Sequence, residues 1–389
     1  MDERFWWLSK YNSLQEVLGE SFFPRKIKTY DVTLRDGEQT VGLVFSKQEK
    51  LMIAKALDDL GVDRIEAGMP VVSREDKEAV ELILKAGLKA EIWGFCRAVK
   101  ADIDACLDVG VKHIVCEVPT SPYKWQAYNF TKEGVIGKVS DCLVYAKSKG
   151  IYTAFFAVDA TRSDLETLEL FYKRAVNECK ADEVIIVDTL GVAAPETMFY
   201  LTKKVREWVS VPVMTHCHND FGLATACTLA SVKAGASCVH VTVNGLGEKT
   251  GNADIAETVI AAALYGVETN IDMKKLVEVS KLVEKISKIK ISPLKPVVGK
   301  NVFKRESGVT VLQLINYPPA VEGYSPDVLG RRREILIGKK SGKSSVEYKL
   351  KEMGASATPQ EIEQILEKLK EFGSRKKGLV SQKESCQQN

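Results

Sequence analysis

A surplus of charge of either sign is missing from this sequence. Its 55 Lys and Arg against 52 Asp and Glu leave a net charge of +3. A nucleic-acid binder needs a basic stripe, and there is none here. The short clusters at Arg331, Arg332, Arg333 and at Arg375, Lys376, Lys377 read as solvated faces or tail. Long apolar runs are missing too, since no stretch approaches the ~20 residues of a membrane span. The N-terminal MDERFWWLSKYN is acidic and aromatic and lacks the layout of a secretory signal. Nine Cys are present, an odd number, and no two make a C-x-x-C pair. Cys96, Cys116, Cys217, Cys227 and Cys238 lie in apolar segments, so buried reduced thiols in a cytoplasmic protein are expected. Histidine is the scarcest informative residue, with four in 389 positions.

What is present is ordinary for a globular chain: 45% hydrophobic and 28% charged residues, in a length that suits one large domain plus an appendage. Short β-branched runs alternate with amphipathic stretches. The strand candidates are 27–34, 63–68, 90–96, 113–118, 152–158, 183–189, 211–216 and 238–243. Each is followed by a helical pattern such as SKQEKLMIAKALDDLG, which has helical apolar spacing and a Gly stop. Near-continuous apolar strands alternating with helices predict a parallel sheet. Eight such units predict an α/β fold of the (β/α)8 TIM-barrel type over 26–272. An open doubly wound sheet is the alternative, but no G-x-G-x-x-G follows the first strand, so a dinucleotide fold lacks support. Residues 1–25 are read as an extension. Residues 273–375 are read as a linker and small, mainly helical subdomain, and 376–389 as a polar, disordered tail. Thr358 and Glu361 form an expected capping box at the last helix. The aromatic FWWLSKYN is expected to pack on the barrel or on a partner chain.

Two of the four histidines, His216 and His218, stand one residue apart in MTHCHNDFGLA, at the end of the seventh strand candidate. Alternate strand residues face one side, so two imidazoles can converge on one divalent cation. On spacing alone the plainer reading is two ordinary polar residues at a strand–loop junction. YDVTLRDGEQT places Arg35 beside Asp36 at the end of the first strand. A carboxylate there completes a metal site, and a guanidinium beside it holds an oxygen that becomes negative. An Arg–Asp surface pair in a turn is the plainer alternative. Other polar residues gather at strand ends: Glu66, Arg97, Asp188, Thr189 and Asn244. His113 is expected at the surface, and His240 in a barrel layer rather than in the site.

LRDGEQ, HCHNDFGLA and NGLGEKTGN, in that order, resemble the pyruvate-carboxyltransferase-like, metal-dependent barrels. Within them the chain resembles the 2-isopropylmalate, homocitrate, citramalate and Re-type citrate synthases. The resemblance implies that Asp36, His216 and His218 bind a divalent metal (Mg2+, Mn2+ or Zn2+), with Asn252 a weaker fourth ligand. It implies that Arg35 polarises the carbonyl of a 2-oxo acid and that Thr189 holds its carboxylate. It places Gly245, Gly247 and Glu248 beside the thioester of acetyl-CoA or another acyl-CoA. The lyases of the superfamily carry a Cys in that loop, and NGLGEKTGN has none. A homodimer is implied by analogy. A separate regulatory domain does not fit after the linker, so no leucine feedback through one is expected.

The pattern breaks in FKRESGVTVLQL, where the family has F-x-H-x-S-G-x-H. Arg305 and Thr310 replace the two His. The general base is therefore open, with Glu306 and Tyr324 as candidates. In strand five, Ala154 stands where homocitrate synthases carry an Arg, among Trp93, Phe95 and Phe156. That weighs against 2-oxoglutarate and toward a small or apolar 2-oxo acid, while Arg97 or Lys124 keeps oxaloacetate open. The leading expectation is a Claisen condensation of acetyl-CoA with a 2-oxo acid to give a 2-substituted malate. A carbon–carbon lyase or aldolase of the superfamily and a non-catalytic sensor are the rivals.

Overall fold

The computed structural model describes residues 2–380. Among these, eight parallel strands close into a barrel in sequence order. They are β1 (Lys28–Asp31), β2 (Arg64–Gly68), β3 (Glu91–Arg97), β4 (His113–Pro119), β5 (Tyr152–Val158), β6 (Glu183–Asp188), β7 (Val213–Cys217) and β8 (Cys238–Val241). β1 closes the ring against β8, with Tyr30 opposite His240. The eight expected strand candidates and the barrel they imply are all found. The helices that follow the strands are α1 (Lys47–Leu60), α2 (Arg74–Lys85), α3 (Lys100–Asp108), α4 (Lys132–Ser148), α5 (Leu165–Lys173), α6 (Pro195–Trp208), α7 (Ala224–Lys233) and α8 (Ile255–Ala262). Their starts are written locally: Ser46 caps α1 in a reciprocal pair with Glu49, and Gly61 ends it in the left-handed conformation.

Strand alternation decides what fills the ring. Tyr30, Val32, Trp93, Phe95, Val115, Ala154, Phe156, Ile185, Val187, Met214 and Cys238 form one inner cluster, each two residues from its neighbour where a strand supplies two. At the N-terminal end Arg64 makes two bonds to Glu183, of 2.6 and 2.8 Å, and its guanidinium lies 4.9 Å from the Trp93 ring. This buried ion pair is the floor of the barrel. His113 belongs to it. Expected at the surface, it is half-buried, with its ring 5.2 Å from Trp93 and 5.6 Å from Tyr152. It shares the inward parity of Val115, which the sequence reading overlooked.

The chain divides into two compact units, Lys10–Lys290 and a second built from Ile291 onward with the residues before Lys10. The first unit also includes α9 (Leu276–Ser287). The second contains the short parallel strands β9 (Lys304–Arg305) and β10 (Glu334–Ile335), and helices α10 (Gly308–Asn316), α11 (Lys343–Glu352) and α12 (Pro359–Lys376). Val346, Ile362, Leu366 and Leu369 form its core. The Thr358–Glu361 capping box is present at α12. Trp6 of the aromatic N-terminus packs on Tyr324 of this same unit, at 5.6 Å between rings. The eight Cys of the described residues are buried and free, as expected. The expected polar tail lies mostly outside the described residues. No helix among the described residues is long and apolar enough to cross a membrane.

Candidate functional site

The inward parity that builds the core continues past it at the C-terminal ends of the strands. Two residues beyond Met214 comes His216, then His218, and both are buried. From the end of β1, Asp36 reaches the same point. Its Oδ2 lies 3.4 Å from His216 Nε2 and 3.8 Å from His218 Nε2, and the two imidazole Nε2 atoms are 3.3 Å apart. Two donors ~2.1 Å from one cation at ordinary coordination angles stand ~3.0–3.5 Å apart. Two of the three separations match a shared ion and the third, 3.8 Å, lies slightly beyond, and the three groups are the metal-competent cluster among the described residues. Burial raises the pKa of Asp36, but the Arg35 guanidinium and the imidazoles outweigh it and hold the carboxyl well below its usual range. Burial, reinforced by His216, pushes His218 down to about 3. An ionised carboxylate beside a neutral imidazole is the protonation state a divalent metal needs.

Asn252 completes the cluster. Its Nδ2 donates to Asp36 Oδ1 at 3.1 Å, and its Oδ1 is buried with no partner. An orphaned amide oxygen beside an Asp/His/His cluster suits a fourth, weak ligand. The loop that brings it there needs glycine. Gly247 has φ of +158°, and a Cβ on it would stand 2.2 Å from Asn252 Nδ2. Thr40 anchors the loop by accepting from Gly247 N at 3.0 Å. Gly245 has φ of +71°. Glu248 donates its backbone N–H to Asp36 Oδ1 at 3.3 Å, while its side chain is exposed.

Arg35 lies over the Phe95 ring at 4.0 Å. Its Nε donates to Glu66 Oε1 at 2.5 Å and its Nη1 to Asp36 Oδ2 at 3.0 Å. Burial opposes the guanidinium's charge, but Glu66 and Asp36 raise its pKa on balance. Nη2 is buried and unpartnered, so one strong donor remains for an incoming oxygen. Behind it runs a chain of contacts that the sequence reading did not assemble. Tyr30 Oη donates to Glu66 Oε2 at 2.9 Å, the Tyr30 ring stacks on His240 at 4.1 Å, and His240 Nδ1 meets His216 Nδ1 at 3.3 Å. His240 is the barrel-layer residue it was expected to be, and it touches a candidate ligand. Glu66 and His240 were already named from the sequence, and inward strand parity is the signal that adds Tyr30 and links the three.

Thr189 Oγ1 accepts from Asp159 N at 2.8 Å, at the end of β6. Arg97 is exposed and makes a fork to Asp102, at 2.8 and 3.0 Å. Its register neighbour Glu117, not singled out beforehand, shares the inward parity of Val115. Burial, partly offset by Arg35, raises the Glu117 pKa. A cavity of about 350 Å3 opens beside Arg35, lined by Leu34, Glu38, Lys50, Met69 and Asp76. Glu306 and Tyr324 belong to the second unit. Glu306 accepts from Lys340 N at 3.1 Å, and the half-buried Tyr324 hydroxyl is pushed up to about 12 by burial. Arg305, in place of the family His, donates to the carbonyls of Val302, Lys304 and Val321. Thr310 donates to Ser307 O at 2.9 Å. Both replacements have local structural partners.

The HMGL-like family model matches residues 26–283, and the model for the homocitrate synthase post-HMGL domain matches residues 297–377. A putative (R)-citramalate synthase of Archaeoglobus fulgidus is 44% identical over 358 residues, covering 91% of this chain and 73% of that protein. A 2-isopropylmalate synthase of Methanocaldococcus jannaschii is 42% identical, with 94% and 72% covered. A homocitrate synthase of Methanopyrus kandleri is 40% identical, with 95% and 94% covered. The crystal structure of a Bacillus subtilis HMG-CoA lyase superposes with a TM-score of 0.64 at 17% identity, covering 71% of this chain and 98% of that one. That likeness concerns the fold alone. The Asp/His/His cluster at the mouth of a closed barrel, the two family matches and relatives aligned over nine tenths of the chain lead to one conclusion: the chain belongs to the HMGL-like family.

Proposed function

We propose that this chain condenses acetyl-CoA with a 2-oxo acid to give a 2-substituted malate, releasing free coenzyme A. The observation that carries this reading is Arg35, which presents an unpartnered, buried Nη2 beside the Asp36, His216 and His218 cluster. The synthase names of relatives at 40–44% identity support it. In this reading Asp36, His216 and His218 hold a divalent cation (Mg2+, Mn2+ or Zn2+), with Asn252 as the weak fourth ligand. Bound there, the cation supplies Lewis-acid polarisation of a carbonyl. The protein's own groups do the rest.

Arg35 Nη2 donates to the carbonyl oxygen of the 2-oxo acid and neutralises the alkoxide that develops on it. Glu66, held by Tyr30, keeps the guanidinium in place. Thr189 takes the carboxylate of the 2-oxo acid, while Arg97, the other expected anion partner, is engaged by Asp102. Gly245, Gly247 and Glu248 flank the thioester, and the cavity beside Arg35 offers room for the arm of the second substrate. A base removes a methyl proton from the acetyl group. The resulting carbanion bonds to C2 of the oxo acid, the carbonyl pair becomes the alkoxide and is protonated, and water cleaves the thioester. Glu306 and Tyr324 are proposed for the proton transfers. Ala154 and the aromatic inner wall favour a small or apolar 2-oxo acid. A cytoplasmic homodimer is the expected setting.

The test is thiol release from acetyl-CoA with Mg2+ or Mn2+, across pyruvate, 2-oxoisovalerate, oxaloacetate and 2-oxoglutarate. Release with one acid, abolished in His216→Ala, supports the reading. No release with any acid, in protein shown to bind metal, overturns it in favour of the lyase reading, which the loss of the family His at position 310 keeps in play.

A further inference from the structure

One inward-facing carboxyl in the barrel mouth has no role in the chemistry above. Glu117 lies on β4, level with Arg97 of β3 and Phe156 of β5. Val115 is part of the inner cluster, so Glu117, two residues on, faces the same interior one layer nearer the mouth. Phe156, beside it, lies 5.3 Å from the His216 ring. The rest of this wall is apolar, with Phe95 under Arg35 and Val158 packed on the inner cluster.

No side chain among the described residues donates a hydrogen bond to this carboxyl, and Arg35, Arg97 and Lys124 reach it only through their fields. The Arg97 fork is occupied by Asp102, while Arg35 Nε and Nη1 are occupied by Glu66 and Asp36. Burial and the fields of neighbouring charges act on Glu117, and no hydrogen bond does. A half-buried carboxyl without a donor is costly to keep, and it repels a second carboxylate placed against it. In the closed ring β4 stands opposite β8, so Glu117 lies across the mouth from the loop that carries Gly245 and Glu248. The wall of Glu117, Phe156 and Val158 therefore faces the 2-oxo acid's own substituent, away from the acyl-CoA side.

We propose that Glu117 is the specificity-determining residue for the 2-oxo acid. It excludes acids with a second carboxylate, such as oxaloacetate and 2-oxoglutarate, and admits monocarboxylic acids with an uncharged side chain. This inference rests on the condensation reading given above.

The experiment compares wild type with Glu117→Gln and Glu117→Ala. Apparent kcat/KM is measured by thiol release, and Kd by calorimetry in Mn2+, for pyruvate, 2-oxoisovalerate, oxaloacetate and 2-oxoglutarate. The isosteric Gln variant guards against loss of the fold. Removing the charge is expected to raise the ratio of dicarboxylic to monocarboxylic kcat/KM about tenfold or more, mainly through KM, with a parallel shift in the Kd ratio. Unchanged ratios in both variants overturn the proposal. So does an equal loss of kcat on every acid, which would make Glu117 part of the proton chemistry. If no acid releases thiol, the condensation reading fails, yet the Kd ratios still decide whether Glu117 selects the ligand.

Discussion

Arg35 is the residue on which charge and geometry converge. It is buried, held by two carboxylates and one aromatic face, and keeps Nη2 without a partner. Arg35→Lys removes the planar fork while keeping the charge. It is expected to lower kcat by about 100-fold or more and to leave calorimetric Mn2+ affinity within a few-fold. Equal losses of both would show that Arg35 serves only to hold Asp36. Tyr30→Phe tests the contacts behind it. Losing the bond to Glu66 frees the guanidinium, and kcat is expected to fall about 10-fold or more, with melting temperature nearly constant. A second titrating residue faces away from the site. Asp31 is fully buried, and burial, only partly offset by bonds from Thr33, raises its pKa from 3.8 to about 7. The folded state thus holds a proton that the unfolded chain has lost. The stability from Asp31 is complete below pH 4 and is lost as pH rises through 7. Urea unfolding of Asp31→Asn should therefore show a flatter pH dependence over that window than wild type.

At the scale of elements, the strands are built for two different ends. The N-terminal ends hold the Arg64–Glu183 pair, and the C-terminal ends hold the candidate ligands. Breaking a buried pair on one side leaves the other charge unanswered. Arg64→Met is expected to cost about 3–5 kcal/mol in urea unfolding, while metal binding survives in the protein that remains folded. The loop after β8 behaves in the opposite way. Gly247→Ala drives a methyl into Asn252, so metal affinity should fall while global stability changes little. Calorimetry with Mn2+ beside a thermal melt separates the two.

For the whole molecule, the barrel closes through backbone pairing and an apolar inner cluster, so its fold is expected to stand without an ion. Removing metal with a chelator is expected to leave the circular dichroism spectrum intact. Metal bound at 100 times its Kd adds about 2.7 kcal/mol, and the melting temperature should rise with it. Unfolding of the apoprotein would contradict this.

The amino-acid sequence by itself determined the eight strands, the helices between them and the convergence of Asp36, His216 and His218. All of these follow from short-range rules: alternation along a strand, spacing along a helix, and Gly or a capping pair at the ends. The triad was legible because its residues are chemically rare and sit at strand ends, where a barrel gathers its reactive groups. Only the tertiary structure decided the rest. Glu66 answers Arg35 across 31 positions and Arg64 answers Glu183 across 119. Arg97 is held by Asp102, His113 joins the floor, and Glu117 stands beside Phe156 in the barrel mouth with no hydrogen bond among the described residues. The partners of Arg35 and Arg64 are too distant in sequence to leave a periodic trace. Whether a charged side chain is paired, free or buried depends on which strands the closed ring makes neighbours.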